Sequence, residues 1–248
     1  MEITWITQGG FIFEHSGYRL VVDPYLSDVA EKTLDLTRLV EPPVDVENLR
    51  PDTLFCSHNH IDHLDPVSIP LIAEQYPLCR FLGPRSVTGD LVGMGIDPTR
   101  ITTLEAGAGL ETEGFQLIAT PAHHSDQYAI GLIIQAQQKK IYVSGDTLYQ
   151  PNLAQDVIDC MGRNIDLVLI CINGRLGNMN IDEAIDLVRQ LQPLVAVPMH
   201  YGLFAENTVD PEPFVRKCND IGIRSFLFTV GKPVNLNKLL LRVEDEDN

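Results

Sequence analysis

The first half of the chain alternates short apolar runs with turns. Runs at 3–6, 11–14 and 18–22 are rich in β-branched and aromatic residues, and glycine-containing turns at 9–10 and 16–17 separate them. Runs of this composition and length predict β-strands. The same criteria predict further strands at 53–57, 115–120, 130–135 and 140–144.

The second half alternates strands with a helix. Residues 166–171 and 194–197 form continuous apolar runs, which are typical of strands buried on both faces. Between them, apolar residues recur at helical spacing from Ile181 to Leu191. Asn180 is a suitable N-cap for this helix, and Glu183 three residues later completes a predicted capping box. This part of the chain therefore predicts a strand–helix–strand unit.

Two Asp-Pro pairs predict additional helix starts, because a capping residue followed by proline is typical of a first helical turn. They are Asp65-Pro66 and Asp210-Pro211, and the charged tail at 244–248 is predicted to fray. Strands in both halves with helices between them indicate an α/β protein whose sheets are covered by helices, although the strand order does not follow from the sequence. The length allows one large domain or two small ones, and we expect a single domain at 1–248.

Composition and charge narrow the classes of function. The chain has 34 acidic and 18 basic side chains, a formal net charge of −16. This charge disfavours nucleic acid as a partner but allows a small anionic substrate at a metal site.

No apolar run is long enough for a membrane span and the N-terminus lacks signal-peptide features, so we expect no membrane association and a cytoplasmic location. The five cysteines are predicted to be small buried hydrophobic residues in a reducing compartment. A small-molecule substrate is the expected partner, and a homo-oligomer remains open.

Metal-ligand residue types concentrate in Ser57-His58-Asn59-His60-Ile61-Asp62-His63-Leu64-Asp65, directly after a predicted strand. Imidazole nitrogens and carboxylate oxygens are the usual ligands of zinc and related ions. Alternate positions place His58 and His60 on one side of an extended segment. A turn after them can bring Asp62 and His63 to a second point nearby, which suits two adjacent ions better than one. The alternative is a solvated loop that starts a helix.

The remaining histidines also follow predicted strands, except for His15, which lies in a turn and is interpreted as structural. His123-His124 and His200 lie at the ends of predicted strands, where α/β folds usually place their functional sites. Adjacent side chains on an extended segment point to opposite sides, so only one of His123 and His124 can easily face the ions, and the spacing does not say which. Asp146 follows another predicted strand and is a candidate bridging carboxylate.

These motifs, taken in order, resemble the signature of the metallo-β-lactamase superfamily, and the resemblance spans almost the whole chain. They are His58-x-His60-x-Asp62-His63, a later histidine, Gly145-Asp146-Thr147 and His200. Val21-Val22-Asp23-Pro24-Tyr25 also resembles that family's third strand and the loop after it. The resemblance implies an α/β fold with four layers, an αββα sandwich in which two mixed sheets face each other and helices lie outside.

The resemblance also implies how the ligands divide between two divalent ions. His58, His60 and one histidine of the 123–124 pair would bind the first ion, and the family pattern Pro-Ala-x-His-Ser selects His124. The second ion would be held by Asp62, His63 and His200, with Asp146 between the two ions. Zinc is the expected metal, ahead of manganese, iron or nickel.

A metal-dependent hydrolase is the predicted function. Two ions can share a hydroxide at neutral pH, which would attack a carbonyl or phosphoryl centre, and the predicted catalytic residues are Asp62 and Asp146. Segments 172–175 and 198–204 resemble the group that contains L-ascorbate-6-phosphate lactonase, which implies a small, anionic or phosphorylated lactone or ester. Arg175 is the candidate that would bind the anion. Further candidate substrate-binding residues are Asn173, Tyr201, His123 and Tyr149. The alternatives are a phosphodiesterase or nuclease on the same fold and a non-enzymatic metal-binding protein.

Overall fold

Two seven-stranded β-sheets form the centre of the protein, in a computed structural model that describes residues 1–244. The first sheet contains β1 (Glu2–Trp5), β2 (Phe11–His15), β3 (Tyr18–Val22), β4 (Thr53–Phe55), β5 (Arg80–Gly83), β6 (Ile101–Thr103) and β14 (Pro233–Asn235). The second contains β7 (Gly109–Glu111), β8 (Gln116–Pro121), β9 (Ile130–Ala136), β10 (Lys139–Val143), β11 (Leu167–Cys171), β12 (Val195–Met199) and β13 (Arg224–Ser225). The strand orders are β14-β1-β2-β3-β4-β5-β6 and β13-β12-β11-β10-β9-β8-β7.

Helices lie on the outer side of each sheet, so the predicted four-layer αββα sandwich is confirmed. Their bounds are α1 (Val29–Leu34), α2 (Val46–Leu49), α3 (Ser68–Gln75), α4 (Arg85–Gly93), α5 (Leu153–Met161), α6 (Ile181–Leu191), α7 (Glu212–Asp220) and α8 (Leu236–Glu244), with a short 3₁₀ turn at Pro98–Arg100. Apolar residues of α2, α3 and α4 share a core with the first sheet. Apolar residues of α5, α6 and α7 share a core with the second.

Alternation along the strands of the first sheet divides their side chains between two cores. Phe11 and Phe13 of β2 join the core that contains the second sheet, whereas Ile12 between them packs with the helices outside. In β3, Leu20 and Val22 also face the second sheet. This period of two is the geometric consequence of a pleated strand with both faces covered.

Strand direction brings several strand ends to one edge of the sandwich. In the first sheet β3 and β4 are parallel. In the second sheet β8 and β10 are both antiparallel to β9, and β10, β11 and β12 are parallel, so these strands all run in the same direction except β9. The segments after β3, β4, β8, β10 and β12 contain the sequence-predicted ligands or their neighbours.

The strands predicted from composition are confirmed, with ends shifted by one or two residues. Strand β4 ends at Phe55, two residues before the predicted end at residue 57. The reason is that the backbone N–H of Ser57 leaves the ladder and donates to the Asp23 carboxylate at 2.7 Å. The shorter strands β5, β6, β7, β13 and β14 were not predicted.

The predicted capping box of α6 is confirmed, and helices begin shortly after both Asp-Pro pairs, although Pro66 precedes the first turn of α3 instead of lying in it. Asn180 and Glu183 form the capping box at the start of α6. Asp65 accepts the backbone N–H of Ser68, where α3 begins, at 3.1 Å, and Asp210 accepts that of Glu212, where α7 begins, at 3.1 Å. The predicted frayed tail lies beyond the described residues, apart from Glu244 at the end of α8.

Two composition-based expectations concern membranes and cysteines. Within residues 1–244, no helix is both long enough and apolar enough to cross a bilayer.

All five cysteines are free thiols, and they are buried except for the half-buried Cys160. Burial raises the pKa of Cys79, Cys171 and Cys218 to about 12, as expected for inert core residues.

Candidate metal centre

The loop after β4 turns back on itself within a few residues. The carbonyl of His60 accepts the backbone N–H of His63 at 3.0 Å and that of Leu64 at 2.8 Å. This turn directs the ring of His60 to one side and that of His63 to another, with His58 between them. The ring centroid of His58 lies 4.5 Å from that of His60 and 4.2 Å from that of His63. The predicted turn that separates two groups of ligands is therefore present.

Seven side chains from both sheets converge on this loop. Their nitrogen and oxygen atoms form three overlapping sets, each with all ligand atoms within 4.8 Å of one another. The sets are His58, His60 and His124; His58, His63 and Asp146; and Asp62, His63 and His200. All seven sequence-predicted ligands thus lie together, and His124 rather than His123 is the member from the 123–124 pair.

The imidazole nitrogens of these sets present lone pairs that can bind cations. His63 Nδ1 donates to Asp23 at 2.8 Å, so a neutral His63 turns the lone pair of Nε2 toward His200 Nε2, 3.3 Å away. His124 Nδ1 donates to the carbonyl of Gly177 at 3.0 Å, which leaves Nε2 facing His60 Nδ1 at 3.1 Å. Lone pairs held this close need a proton or a cation between them.

Orphaned atoms in the same cluster point to the same conclusion. His58 Nε2 and Asp146 Oδ1 are buried and have no hydrogen-bond partner. A buried polar atom without a partner is costly, and functional sites are where such exceptions concentrate. The residues present therefore fit divalent metal ions.

Asp146 lies between the outer two sets. Its Oδ1 is 3.4 Å from His63 Nε2, and its Oδ2 is 3.1 Å from His200 Nε2 and 3.9 Å from His124 Nε2. Gly145 before it has φ +59°, and a Cβ there would lie 3.0 Å from the carbonyl of Ile130, so the turn after β10 requires glycine. The strand end and this turn together direct Asp146 into the cluster.

The pKa shifts of the histidines differ between the two ends of the cluster. Burial, together with neighbouring imidazoles, lowers the pKa of His58 and His60. For His63, burial alone would lower the pKa, but the carboxylates of Asp146, Asp62 and Asp23 outweigh it and raise the pKa well above its usual value. Burial would raise the pKa of Asp146, but His200 and His63 hold it well below the usual range. Negative charge is therefore concentrated around His63.

The ligands are held from behind by residues that sequence reasoning missed. Buried Asp23, directly after β3, accepts from His63 Nδ1 and from the hydroxyl and backbone N–H of Ser57. Gly9 lies against His63 so closely that a Cβ there would be 2.9 Å from its ring. The carboxylate fixes the tautomer and orientation of His63, a common arrangement behind metal-binding histidines. The position of Asp23 at a strand tip beside β4 was the available signal.

Two amide side chains support the carboxylates. Gln8 Nε2 donates to Asp62 Oδ2 at 2.9 Å, and Asn178 Nδ2 donates to Asp146 Oδ2 at 2.8 Å. Gln8 and the preceding Thr7 have φ +49° and +87°, an uncommon conformation for non-glycine residues. The backbone N–H of His200 also donates to the Gln8 carbonyl, at 3.0 Å. This strained loop therefore positions ligands from both sheets, as strain at functional sites often does.

Comparison with known proteins agrees with this geometry. The family model for the beta-lactamase superfamily domain matches residues 18–201. The chain belongs to the metallo-β-lactamase superfamily. It is 28% identical to a UPF0173 metal-dependent hydrolase of Thermoplasma acidophilum, over 95% of this chain and 99% of the relative. It is also 28% identical to a UPF0173 protein of Pyrococcus furiosus, over 88% and 90% of the two chains.

A solved structure shares the same fold. Igni18, described as a novel metallo hydrolase from Ignicoccus hospitalis, superposes with a TM-score of 0.75 and 24% identity, over 94% of this chain and 97% of its own. This likeness supports the metallo-β-lactamase sandwich. The resemblance to the ascorbate-phosphate lactonase group remains a prediction.

A cavity of about 600 Å³ opens over the metal-ligand cluster of this metallo-β-lactamase domain. His60, Asp62, Asp146 and His200 line its inner part. The other side is apolar and consists of Ala30, Leu34, Leu36, Ile61 and Leu176. Asn59, Ser125 and Asn207 complete the lining. The volume is in the range typical of small-molecule sites.

Arg175 does not line this cavity. Its Nη1 lies 3.5 Å from the carbonyl of Glu206, and its side chain borders a separate groove with Asp182, Glu183 and Asp186. This placement separates Arg175 from the metal-ligand cluster, where the sequence predicts that it would bind an anion. The same loop directs Asn178 toward Asp146, a contact that no local sequence pattern predicts.

The other four predicted substrate-binding residues are also absent from the lining of the cavity in the described part of the chain. Asn173 is buried and donates to Asn207 at 2.8 Å, so it supports a lining residue from behind. Tyr201 packs its ring on that of Trp5, with centroids 4.9 Å apart. The Tyr149 hydroxyl accepts from the side chain of Gln190 at 2.9 Å. The backbone N–H of His123 donates to Thr147, at 2.9 Å.

Proposed function

We propose that this protein is a metal-dependent hydrolase that binds two divalent ions and cleaves the lactone or ester bond of a small molecule. The observation that carries the proposal is the convergence of seven nitrogen and oxygen ligands beneath a cavity of small-molecule size. The names of the relatives, metal-dependent hydrolases of the same superfamily, support it.

Two ions account for the ligands better than one. Seven side chains exceed what a single four-coordinate ion uses. The outer sets, which contain His60 and His200 respectively, share no residue with each other, and Asp146 lies between them. Nitrogen and oxygen ligation suits zinc, with manganese, iron and nickel as alternatives.

The chemistry follows from the residues around the ions. Divalent ions held here would supply water activation and Lewis-acid polarisation of the scissile carbonyl. Asp62 lines the cavity and is held by Gln8 through one oxygen, Oδ2, so Oδ1 can accept a proton from the attacking water. Asn178 keeps Asp146 in its position between the two outer sets.

The cavity and the charge also support a small molecule over nucleic acid. A formal net charge of −16 repels a phosphate backbone. Among the described residues that line the cavity, none is Lys or Arg. Nuclease function on a long phosphate backbone is favoured by such side chains or by a basic surface beside the ions.

The test combines metal analysis with turnover. Metal is removed with a chelator, zinc or manganese is added back stepwise, and hydrolysis of a lactone, an aryl ester and a bis-aryl phosphodiester is measured at each step. We expect lactone or ester turnover to rise until two ions are bound per chain. Turnover of the phosphodiester alone would favour the nuclease alternative. No turnover with two ions bound would indicate a metal-binding protein without hydrolase activity.

A further inference from the structure

One wall of the cavity includes exposed apolar side chains that are not packed in the hydrophobic core. Leu176 is 72% exposed and Leu34 is 58% exposed, yet both line the cavity above the ligands. Leu36 and Ile61 continue the same surface. Exposed apolar groups that meet in one concave patch mark a binding surface, whereas isolated ones do not.

The loop that carries Leu176 is fixed to the metal-ligand cluster. The carbonyl of Gly177 accepts from His124, and the side chain of Asn178 donates to Asp146. Leu176 itself has φ +50°, a conformation that β-carbon-bearing residues adopt only at a cost. The strained backbone therefore holds an apolar side chain at the mouth of the cavity with no core packing to compensate.

The opposite part of the wall is equally well fixed. The segment that contains Leu34 and Leu36 is held by an ion pair between Arg38 and Glu31, whose side chains are 10% and 17% exposed. Backbone bonds also join it to the loop after β12, with Leu39 N–H donating to the Leu203 carbonyl at 2.7 Å. The wall is thus a built feature of the fold.

Arg38, the basic residue that follows Leu34 and Leu36, is engaged in other contacts. Arg38 also donates to the carbonyl of Ser27 and lies over the ring of Tyr25, with 5.0 Å between its Cζ and the ring centroid. No Lys or Arg is among the described residues that line the cavity, and an anionic substituent would lose hydration against its leucine and isoleucine side chains.

From this arrangement we propose that the substrate carries an uncharged apolar group, such as an alkyl chain of several carbons, which binds between Leu34, Leu36, Ile61 and Leu176 while its ester or lactone carbonyl lies over the metal-ligand cluster. The proposal rests on the hydrolase function argued above. It replaces the anionic substrate that the sequence predicted with an apolar one.

Matched aryl esters test the proposal. The 4-nitrophenyl esters of acetate, butyrate and hexanoate are compared with the mono-4-nitrophenyl ester of adipate, which has the length of hexanoate and ends in a carboxylate. We expect kcat/KM to rise on the order of threefold per methylene up to hexanoate. The adipate ester should fall at least tenfold below hexanoate. Equal or faster turnover of the adipate ester would overturn the proposal and leave the hydrolase function standing.

Variants connect the selectivity to the wall. Leu176→Asn keeps a similar size, tolerates the left-handed conformation and makes the wall polar. We expect it to abolish most of the gain from acetate to hexanoate without changing the metal content. Leu78→Asn is the matched control, because Leu78 is 91% exposed and does not line this cavity. An equal loss of selectivity in both variants, or in neither, would contradict the proposal.

A binding measurement separates this proposal from the hydrolase function. Ligand-observed NMR compares hexanamide with adipic acid monoamide on the metal-loaded protein, and needs no turnover. Preferential binding of hexanamide that is lost in Leu176→Asn and kept in Leu78→Asn supports the apolar site even if no ester is hydrolysed. Equal binding of both amides overturns it even if esters are hydrolysed.

Discussion

The two outer ligand sets of the metal-ligand cluster differ in charge and in support. The histidine set, His58, His60 and His124, contains imidazoles alone. The mixed set consists of Asp62, His63 and His200, and it also has the buried carboxylate of Asp23 behind His63. A cation in the mixed set would therefore interact with more negative charge in a medium that screens it poorly.

The hydrogen-bond partners of the ligand histidines also differ in charge between the two sets. In the histidine set, His58 Nδ1 lies 3.0 Å from the Ser57 hydroxyl and His60 Nε2 lies 3.1 Å from the Ser125 hydroxyl. In the mixed set the corresponding partner of His63 is the carboxyl group of Asp23, 2.8 Å from Nδ1. A carboxylate behind a histidine increases its basicity as a ligand more than a hydroxyl does. The comparison indicates that the two ions would bind with unequal affinity, and that the mixed set would hold the tighter one.

The largest effect is expected when the carboxylate of Asp146, which lies between the two outer ligand sets, is removed. Asp146→Ala should abolish turnover and lower the affinity for both ions, because the carboxylate lies between the outer sets. The fold should persist, because the Asp146 side chain lies in the metal-ligand cluster at the end of β10 and packs in no strand or helix. Metal analysis, circular dichroism and turnover check this. A variant that stays unfolded with excess metal would show that Asp146 is mainly structural.

Removing a ligand of one set should affect one ion. His124→Ala is expected to lose about one ion per chain and nearly all turnover, whereas the matched neighbour variant His123→Ala should keep both ions. The reason is that His124 Nε2 faces His60, while His123 belongs to none of the ligand sets found in residues 1–244. Metal content by elemental analysis decides the matter. The opposite pattern would exchange the roles of the two histidines.

The carboxylate behind the mixed set gives an intermediate effect. Asp23→Asn keeps the size of the side chain and removes its charge, so it should weaken the tighter ion about 10- to 100-fold. Competition with a chromophoric chelator measures this affinity. If instead the weaker ion is the one affected, the assignment of the tighter ion to the mixed set is wrong.

The smallest effect on metal affinity is expected from a change in the hydroxyl group that contacts the histidine set. Ser125→Ala removes a partly exposed hydroxyl beside His60, and should change affinity for the weaker ion by only about threefold, the value of an ordinary hydrogen bond. The same chelator competition applies. A loss as large as that of Asp23→Asn would mean that charge behind the rings does not distinguish the two sets.

Local patterns predicted much of the fold. Alternation and apolar runs predicted the long strands, because a pleated strand between two cores repeats every two residues. The capping box of α6 depends on residues three positions apart, so it is also readable from sequence. The ligand loop was predicted because His58, His60, Asp62 and His63 lie within six residues.

Features that depend on distant contacts were missed. Gln8 and Asp62 are 54 positions apart, and Asn178 and Asp146 are 32 apart, so neither pair has a local pattern. The edge strand β7 is three residues long and mostly exposed, and it carries no periodic signal. Arg175 was chosen for its charge, but the direction of a loop side chain depends on tertiary contacts.

Each outer ligand set joins residues from both sheets. His58 and His60 follow β4 of the first sheet and His124 follows β8 of the second; Asp62 and His63 face His200 in the same way. Ions held there would act as cross-links, and separating the sheets would require their release. By mass action, metal at 100 times its dissociation constant would add about 2.7 kcal/mol to the free energy of unfolding per site. The supply of metal would therefore govern the lifetime of the folded chain as well as its chemistry.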